Sequence, residues 1–111
     1  MAKQNSSIAA LAQLFRILGD ETRLRVLIVL EQRGELNVTA LCKTLKVPQP
    51  TVSHHLGILR MGDLVINRRS GKEIFYSLND LRRHKYARAM KTLLKGSAAI
   101  QLGSIVLGLA E

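Results

Sequence analysis

The stretch Gln49-Pro50-Thr51-Val52-Ser53-His54-His55-Leu56-Gly57-Ile58-Leu59-Arg60 decides the fold. Val52, Leu56 and Leu59 recur at the spacing of one helix face, with His55 at the edge of that stripe. At about 100° per residue, Pro50, His54 and Gly57 point the opposite way, flanked by Thr51 and Ser53. A face turned to bulk water usually carries long charged side chains. This one offers hydroxyls, an imidazole and a glycine that permits close approach. Such groups suit a helix pressed into the major groove of DNA, where short donors and acceptors meet base edges. An ordinary surface helix is the plainer reading of the segment taken alone.

The next residues add a second piece. Leu64-Val65-Ile66-Asn67-Arg68-Arg69 and Glu73-Ile74-Phe75-Tyr76-Ser77-Leu78 are β-rich runs separated by Ser70-Gly71-Lys72. That pattern predicts a hairpin with a glycine for the left-handed turn position. Arg68, Arg69 and Lys72 lie at its tip and approach. Basic hairpin tips are common and mostly just solvated. A cationic hairpin behind a polar-faced helix is more specific: it makes a winged helix-turn-helix, in which the helix reads bases while the wing holds phosphate or minor groove.

The chain has 111 residues and a formal net charge of +9, and the charge is uneven. Residues 1–42 hold five basic and four acidic side chains, whereas residues 43–95 hold twelve basic and three acidic. The excess lies with the reading helix, the wing and the helix after them, which favours a polyanionic partner. Duplex nucleic acid is the simplest, and an acidic membrane surface the competing reading. The lone Cys42 excludes an internal disulfide and fits a reducing cytoplasm. Residues 1–7 have no apolar signal-peptide core, and the apolar tail, residues 98–110, is shorter than the ~20 residues needed to span a bilayer. The expectation is a soluble cytoplasmic protein with no membrane partner.

Along the chain, Ile8, Leu11, Leu14, Phe15 and Leu18 form a helical stripe that Gly19 ends. Asp20 is set to cap a second helix, with Leu24, Leu27, Ile28 and Leu30 buried and Gly34 as its stop. Leu36 to Thr39 lead into a short third helix through Ala40, Leu41 and Leu45, and Pro48 breaks the chain before the reading helix. Asn79 or Asp80 can cap a basic helix starting at Leu81. The predicted architecture is mainly α with a small β-hairpin, in the order α-α-α-α-β-β-α. It forms a single winged helix-turn-helix domain over residues 1–111, with a DNA-binding core of about residues 20–80 and dimerisation helices of about 6–18 and 81–110.

Several runs resemble the ArsR/SmtB family of winged-helix transcriptional repressors. They are Leu18-Gly19-Asp20-Glu21-Thr22-Arg23-Leu24-Arg25-Val26-Leu27, Glu35-Leu36-Asn37-Val38, Thr51-Val52-Ser53-His54-His55-Leu56 with Leu59-Arg60, and Gly71-Lys72-Glu73-Ile74-Phe75-Tyr76-Ser77-Leu78. The likeness spans roughly residues 8–95. Asp63 departs from it, standing where the family usually has Gly; Asp tolerates left-handed backbone better than most residues, so the turn should survive.

The resemblance implies a homodimer on promoter DNA that leaves when a metal ion or another inducer binds. The family's Cys-x-Cys metal positions correspond to Asn37 and Thr39, which offer no thiolate. At its second site Asp80 matches one ligand, but Arg82, Leu93 and Gly96 stand at the others and cannot bind metal. Cys42 and His84 remain, too few for a closed zinc site, and a buried structural Cys42 is the simpler expectation. No metal and no cofactor are expected, and the inducer is unknown.

His54 is expected to face outward, towards a base edge or a phosphate, and His55 to be partly buried on a backbone hydrogen bond. Adjacent helical residues diverge by about 100°, so the two do not chelate one ion together. The expected DNA contacts are Gln49, Thr51, Ser53 and His54 to bases, with Arg68, Arg69, Lys72, Lys43 and Lys46 to phosphates. One short helix reads few base pairs, so two copies are expected on a palindromic operator, with half-sites about 34 Å apart or a multiple of that.

The tail's Ile100, Leu102, Ile105, Val106, Leu107 and Leu109 suit dimer contact, and Ala99/Gly103 and Ser104/Gly108 would let helices approach closely. A hydrophobic end covering its own domain, or a pocket for an apolar ligand, fits the same residues. A winged-helix protein-interaction module working through this tail is the alternative function. An enzyme is disfavoured by the lack of a phosphate loop, paired carboxylates or an activated nucleophile.

Overall fold

Two polar side chains, a glycine and a left-handed lysine punctuate the chain into its elements. Asp20, extended at φ −127°, accepts the Arg23 backbone N–H at 3.0 Å and opens α2 (Glu21–Arg33). Gly34, at φ 77°, closes it by donating to the carbonyl of Leu30. Asn37 does for α3 (Val38–Leu45) what Asp20 does for α2: its Oδ1 accepts from Ala40 at 2.8 Å. A left-handed Lys46, at φ 57°, ends α3, and Pro48 precedes α4 (Gln49–Met61), with Pro50 in its first turn.

The computed structural model describes residues 2–94, 99–102 and 104–108. Before α2 runs α1 (Ala2–Leu18). The two-residue strand β1 (Leu36–Asn37) precedes α3, and the wing is β2 (Val65–Ser70) with β3 (Glu73–Leu78). Next come α5 (Lys85–Leu94) and a second hairpin, β4 (Ala99–Leu102) with β5 (Ile105–Gly108). The chain forms two compact units, residues 14–80 and residues 1–13 with 81–111.

In the first unit, Val26, Leu30, Leu41, Val52, Leu56, Leu59, Leu64 and Val65 are buried. The stripe expected on the reading helix is wholly enclosed, with Val52, Leu56 and Leu59 each at 0 % exposure. Truncating either leucine to alanine would cost about 2–5 kcal/mol. The wing sheet has the order β1-β3-β2, antiparallel throughout, with Leu36 opposite Tyr76 and Asn37 opposite Phe75. Across the tip Ser70 faces Glu73, leaving Gly71 and Lys72 as a two-residue turn. Gly71 alone of these two has positive φ, 63°, as a type II′ turn requires. Asp63 also adopts the left-handed form, at φ 64°, so the turn keeps the conformation glycine would have given it. Asn79 secures that turn by donating to the Asp63 carbonyl at 2.8 Å.

In the second unit, Leu11, Tyr86 and Ala89 are buried with Ser7. Lys85 lies 5.6 Å over the Tyr86 ring and donates to Gln13 at 3.3 Å.

Several expectations need correction. On α2, Leu24 and Ile28 are exposed while Val26 and Leu30 are buried, because the helix turns its Val26/Leu30 edge inward. The last helix starts at Lys85, four residues later than the Leu81 start, and its first turn is held by His84, whose Nδ1 accepts from the Tyr86 backbone N–H at 3.2 Å. Residues 99–102 and 105–108, expected to extend a dimerisation helix to about residue 110, are strands, with Ala99 paired to Gly108 and Leu102 to Ile105. The β-branched Ile100, Ile105 and Val106 on either side of the turn-forming Gly103-Ser104 sequence favour short strands over a helix. The helical reasoning about small residues four apart therefore does not apply to Ala99 and Gly108, and Gly103 and Leu109 lie outside the described residues. Cys42 is half-buried, not buried.

Candidate nucleic-acid interface

With its apolar stripe enclosed, α4 presents Gln49, Thr51, Ser53 and His54 to solvent, all four exposed. Gln49 and Thr51 sit in the first turn, where the positive end of the helix dipole favours a negatively charged partner. Gly57 lies one turn beyond Ser53, and a Cβ built on it would meet nothing within 4 Å. The helix axis can therefore come close to a flat or grooved surface on that side. Lys43 on α3 and Lys46 in the turn are exposed as well, as are Arg68, Arg69 and Lys72 on the wing.

A groove of about 190 Å³ runs between the start of α3, the start of α4 and the wing tip, lined by Asn37, Val38, Thr39, Gln49, Lys72, Glu73 and Ile74. It brings Gln49 and Lys72, 23 positions apart in the chain, to one concave edge. Lys43 and Lys46 do not line it. Arg68 and Arg69 are separated by the pleat: successive strand residues point to opposite faces, so the two do not act on one surface together.

Their partners differ too. Arg68 Nε and Nη2 donate to the two Glu35 carboxylate oxygens at 2.8 and 2.7 Å, and its guanidinium carbon stands 4.7 Å above the Phe75 ring. The pair shifts both titrations: hydrogen bonding from Arg68 holds the Glu35 carboxyl below its ordinary range, and Glu35 pushes the Arg68 guanidinium up. Among the described residues Arg69 donates from Nε alone, to the Gly71 carbonyl at 3.2 Å, leaving its outer nitrogens at the tip. The wing thus has one neutralised arginine and one open arginine, a distinction the sequence does not carry.

His55 corrects another expectation. Its partner is a side chain and not the backbone: Arg23 Nη1 lies 3.2 Å from its Nδ1. The Asp20 carboxyl, lowered chiefly by the Arg23 backbone N–H, lies 3.7 Å from the same nitrogen. Sequence reasoning missed Arg23, Glu35 and Asn37 as partners in this region. Asn37 was legible, being a short polar residue just before an apolar helix. Arg23 and Glu35 gave no local signal, because their partners lie 32 and 33 positions away.

Among the described residues no three His, Cys, Asp or Glu side chains cluster so as to hold a metal ion, and no helix is long and apolar enough to cross a membrane.

Known proteins resemble this arrangement. Residues 20–67, from the cap of α2 to the first wing strand, match the model of the bacterial regulatory protein, arsR family. The transcriptional repressor PagR of Bacillus anthracis is 39 % identical over 69 residues, covering 62 % of this chain and 69 % of its own. The chain belongs to the ArsR family. The arsenical resistance operon repressor of Escherichia coli is 46 % identical over 67 residues, 60 % of this chain and 57 % of that protein, so the ArsR-family chain spans little more than half of that relative. The crystal structure of PagR superposes with a TM-score of 0.61 at 36 % identity, covering 78 % of this chain and 95 % of PagR. Reduced HlyU from Vibrio cholerae reaches 0.65 at 27 % identity, covering 85 % and 94 %. These neighbours share the winged helix-turn-helix fold, and the curated relatives are transcriptional regulators, not enzymes.

Proposed function

We infer that this ArsR-family protein is a sequence-specific DNA-binding transcriptional regulator, a cytoplasmic repressor that works as a homodimer on a two-fold operator. One observation carries the reading: α4 buries Val52, Leu56 and Leu59 completely while Gln49, Thr51, Ser53 and His54 stay exposed on its other side. A helix held so firmly by one face can present the other without moving. Gln49, Thr51, Ser53 and His54 contact base edges, and Arg69, Lys72, Lys43 and Lys46 contact phosphates. Arg68 serves the wing first through Glu35 and adds charge only secondarily.

Two-fold pairing follows from the small reach of one helix, and half-sites should recur about 34 Å or one DNA turn apart, or at a multiple of that. No inducer is assigned, since Asn37 caps α3 and bonds Glu73 where metal-sensing relatives in the resembled group carry a thiolate.

The test is selection of bound fragments from genomic DNA, followed by titration at rising salt. With about 6–10 phosphates neutralised per dimer, affinity should fall roughly 10³–10⁵-fold between 50 and 200 mM salt. No enriched sequence, or affinity indifferent to salt, would sink the reading.

A further inference from the structure

Arg23 lies on α2, yet its guanidinium works on two other elements. Nε donates to the Ile17 carbonyl at 2.6 Å and Nη2 to the Arg16 carbonyl at 3.3 Å. Both carbonyls belong to the last turn of α1, where acceptors lack intrahelical donors and the dipole favours a cation. The third contact runs to α4, with Nη1 3.2 Å from His55 Nδ1. A guanidinium has no acceptor, so this hydrogen bond requires a lone pair on Nδ1 and leaves the imidazole proton on Nε2. Asp20 Oδ2, which accepts the Arg23 backbone N–H, lies 3.7 Å from Nδ1, beyond hydrogen-bond reach. The His55 side chain is only 12 % exposed, so its ring is held. The His54 ring meets that held ring edge-on, with centroids 5.3 Å apart at 64°.

We propose that Arg23 is a positioning residue for base recognition: through Nδ1 of His55 it fixes the ring against which His54 is set on the reading face. The proposal rests on the DNA-binding reading above and names the residue behind its specificity. Arg23 itself touches no base. It ties the end of α1 to α4, and the flat, forked guanidinium is what allows three partners on three sides; a lysine ammonium lacks that fixed fork.

The experiment uses the full-length protein, a duplex it selects and an unrelated duplex of equal length. Arg23→Ala should cut the affinity ratio between the two by ~10-fold or more, the scale of losing a charge-assisted hydrogen bond, with little change on the unrelated duplex. His55→Asn, whose side-chain oxygen can stand where Nδ1 stood, should retain more of the ratio than His55→Gln. The double variant Arg23→Ala/His54→Ala should discriminate no worse than His54→Ala alone, whereas Arg23→Ala and Lys72→Ala should combine additively. Should Arg23→Ala melt early, Arg23→Lys and the two His55 variants carry the comparison.

Nitrogen-15 spectra give a readout without DNA: in the wild type the His55 ring should show an unprotonated Nδ1 and a protonated Nε2, and Arg23→Ala should lose that preference. Wild-type selection with an unaltered ratio in Arg23→Ala, or full additivity with His54→Ala, overturns this proposal alone. A wild type that selects no sequence overturns the DNA reading and this proposal with it.

Discussion

Glu35 holds Arg68 with both carboxylate oxygens, at 2.7 and 2.8 Å, and so anchors the outer wing strand to the residue just before β1. The contact ties residues 33 positions apart and cancels one positive charge of the wing where duplex DNA is expected to lie. Arg68→Ala should therefore lower DNA affinity less than Arg69→Ala. Glu35→Gln should raise affinity for unrelated duplex and steepen the salt dependence by about one phosphate contact per protomer. Fluorescence anisotropy titrations at four or five salt concentrations would decide it; an unchanged slope in Glu35→Gln counts against the account.

Acid should loosen the fold through two carboxylates. Glu35 and Asp20 both titrate lower in the folded chain, the first through the Arg68 hydrogen bond and the second through the Arg23 backbone N–H. A group with a depressed folded pKa contributes fully above its unfolded value and loses that contribution as pH falls through the folded one. With ordinary values of 4.5 and 3.8, the loss begins near pH 4.5 and continues below it. Melting temperature should drop in that window. Asp20→Asn, which keeps a competent cap, should show a shallower drop; parallel curves for variant and wild type would refute the assignment.

Lys46 bends the helix-turn-helix connection in a left-handed conformation, φ 57° and ψ 44°, that costs an ordinary side chain about 1–2 kcal/mol. Lys46→Gly relieves the strain at some cost in unfolded-chain entropy, so a net gain of about 0.5–1 kcal/mol is expected in urea melts. The same variant removes a positive charge, and DNA affinity should fall while stability rises. Gly34→Ala, forced to φ 77° with open space around the added methyl, should move stability the other way.

Gly57 offers a cleaner separation of stability from function. It sits in the middle of α4 with nothing within 4 Å of an added Cβ, so Gly57→Ala should gain about 0.5–1 kcal/mol of helix stability. If that side of the helix approaches DNA, the methyl should weaken specific binding. Stabilisation without any loss of affinity would place Gly57 away from the groove.

The helices around the reading element were legible because their signals are local. The period of Val52, Leu56 and Leu59, the caps at Asp20 and Gly34, and the glycine at the wing tip each depend on neighbours a few residues away. What escaped depends on distance or on competition. Leu30 is buried as its spacing predicts, but nothing near Leu24 and Ile28 says that α2 turns Val26 inward in their place, since that phase is set by the elements packed on it. The third strand, Leu36–Asn37, is too short to carry a pattern and exists because β3 offers it an edge. In the tail, short runs rich in apolar residues fit a helix or a strand, and pairing of Ala99 with Gly108 favours the strand. At the candidate site, exposure of all nine expected contacts followed from polarity, but which wing arginine is already paired did not.

The order β1-β3-β2 leaves β2 with an unpaired side among the described residues, and that open strand carries Arg68 and Arg69 in sequence. Charged residues on an open strand stop a second chain from adding to it. Arg69, which would grip a phosphate, and Arg68, held by Glu35, also keep the protein from stacking into insoluble ribbons, so replacing both at once should cause precipitation before any lost contact with DNA can be measured.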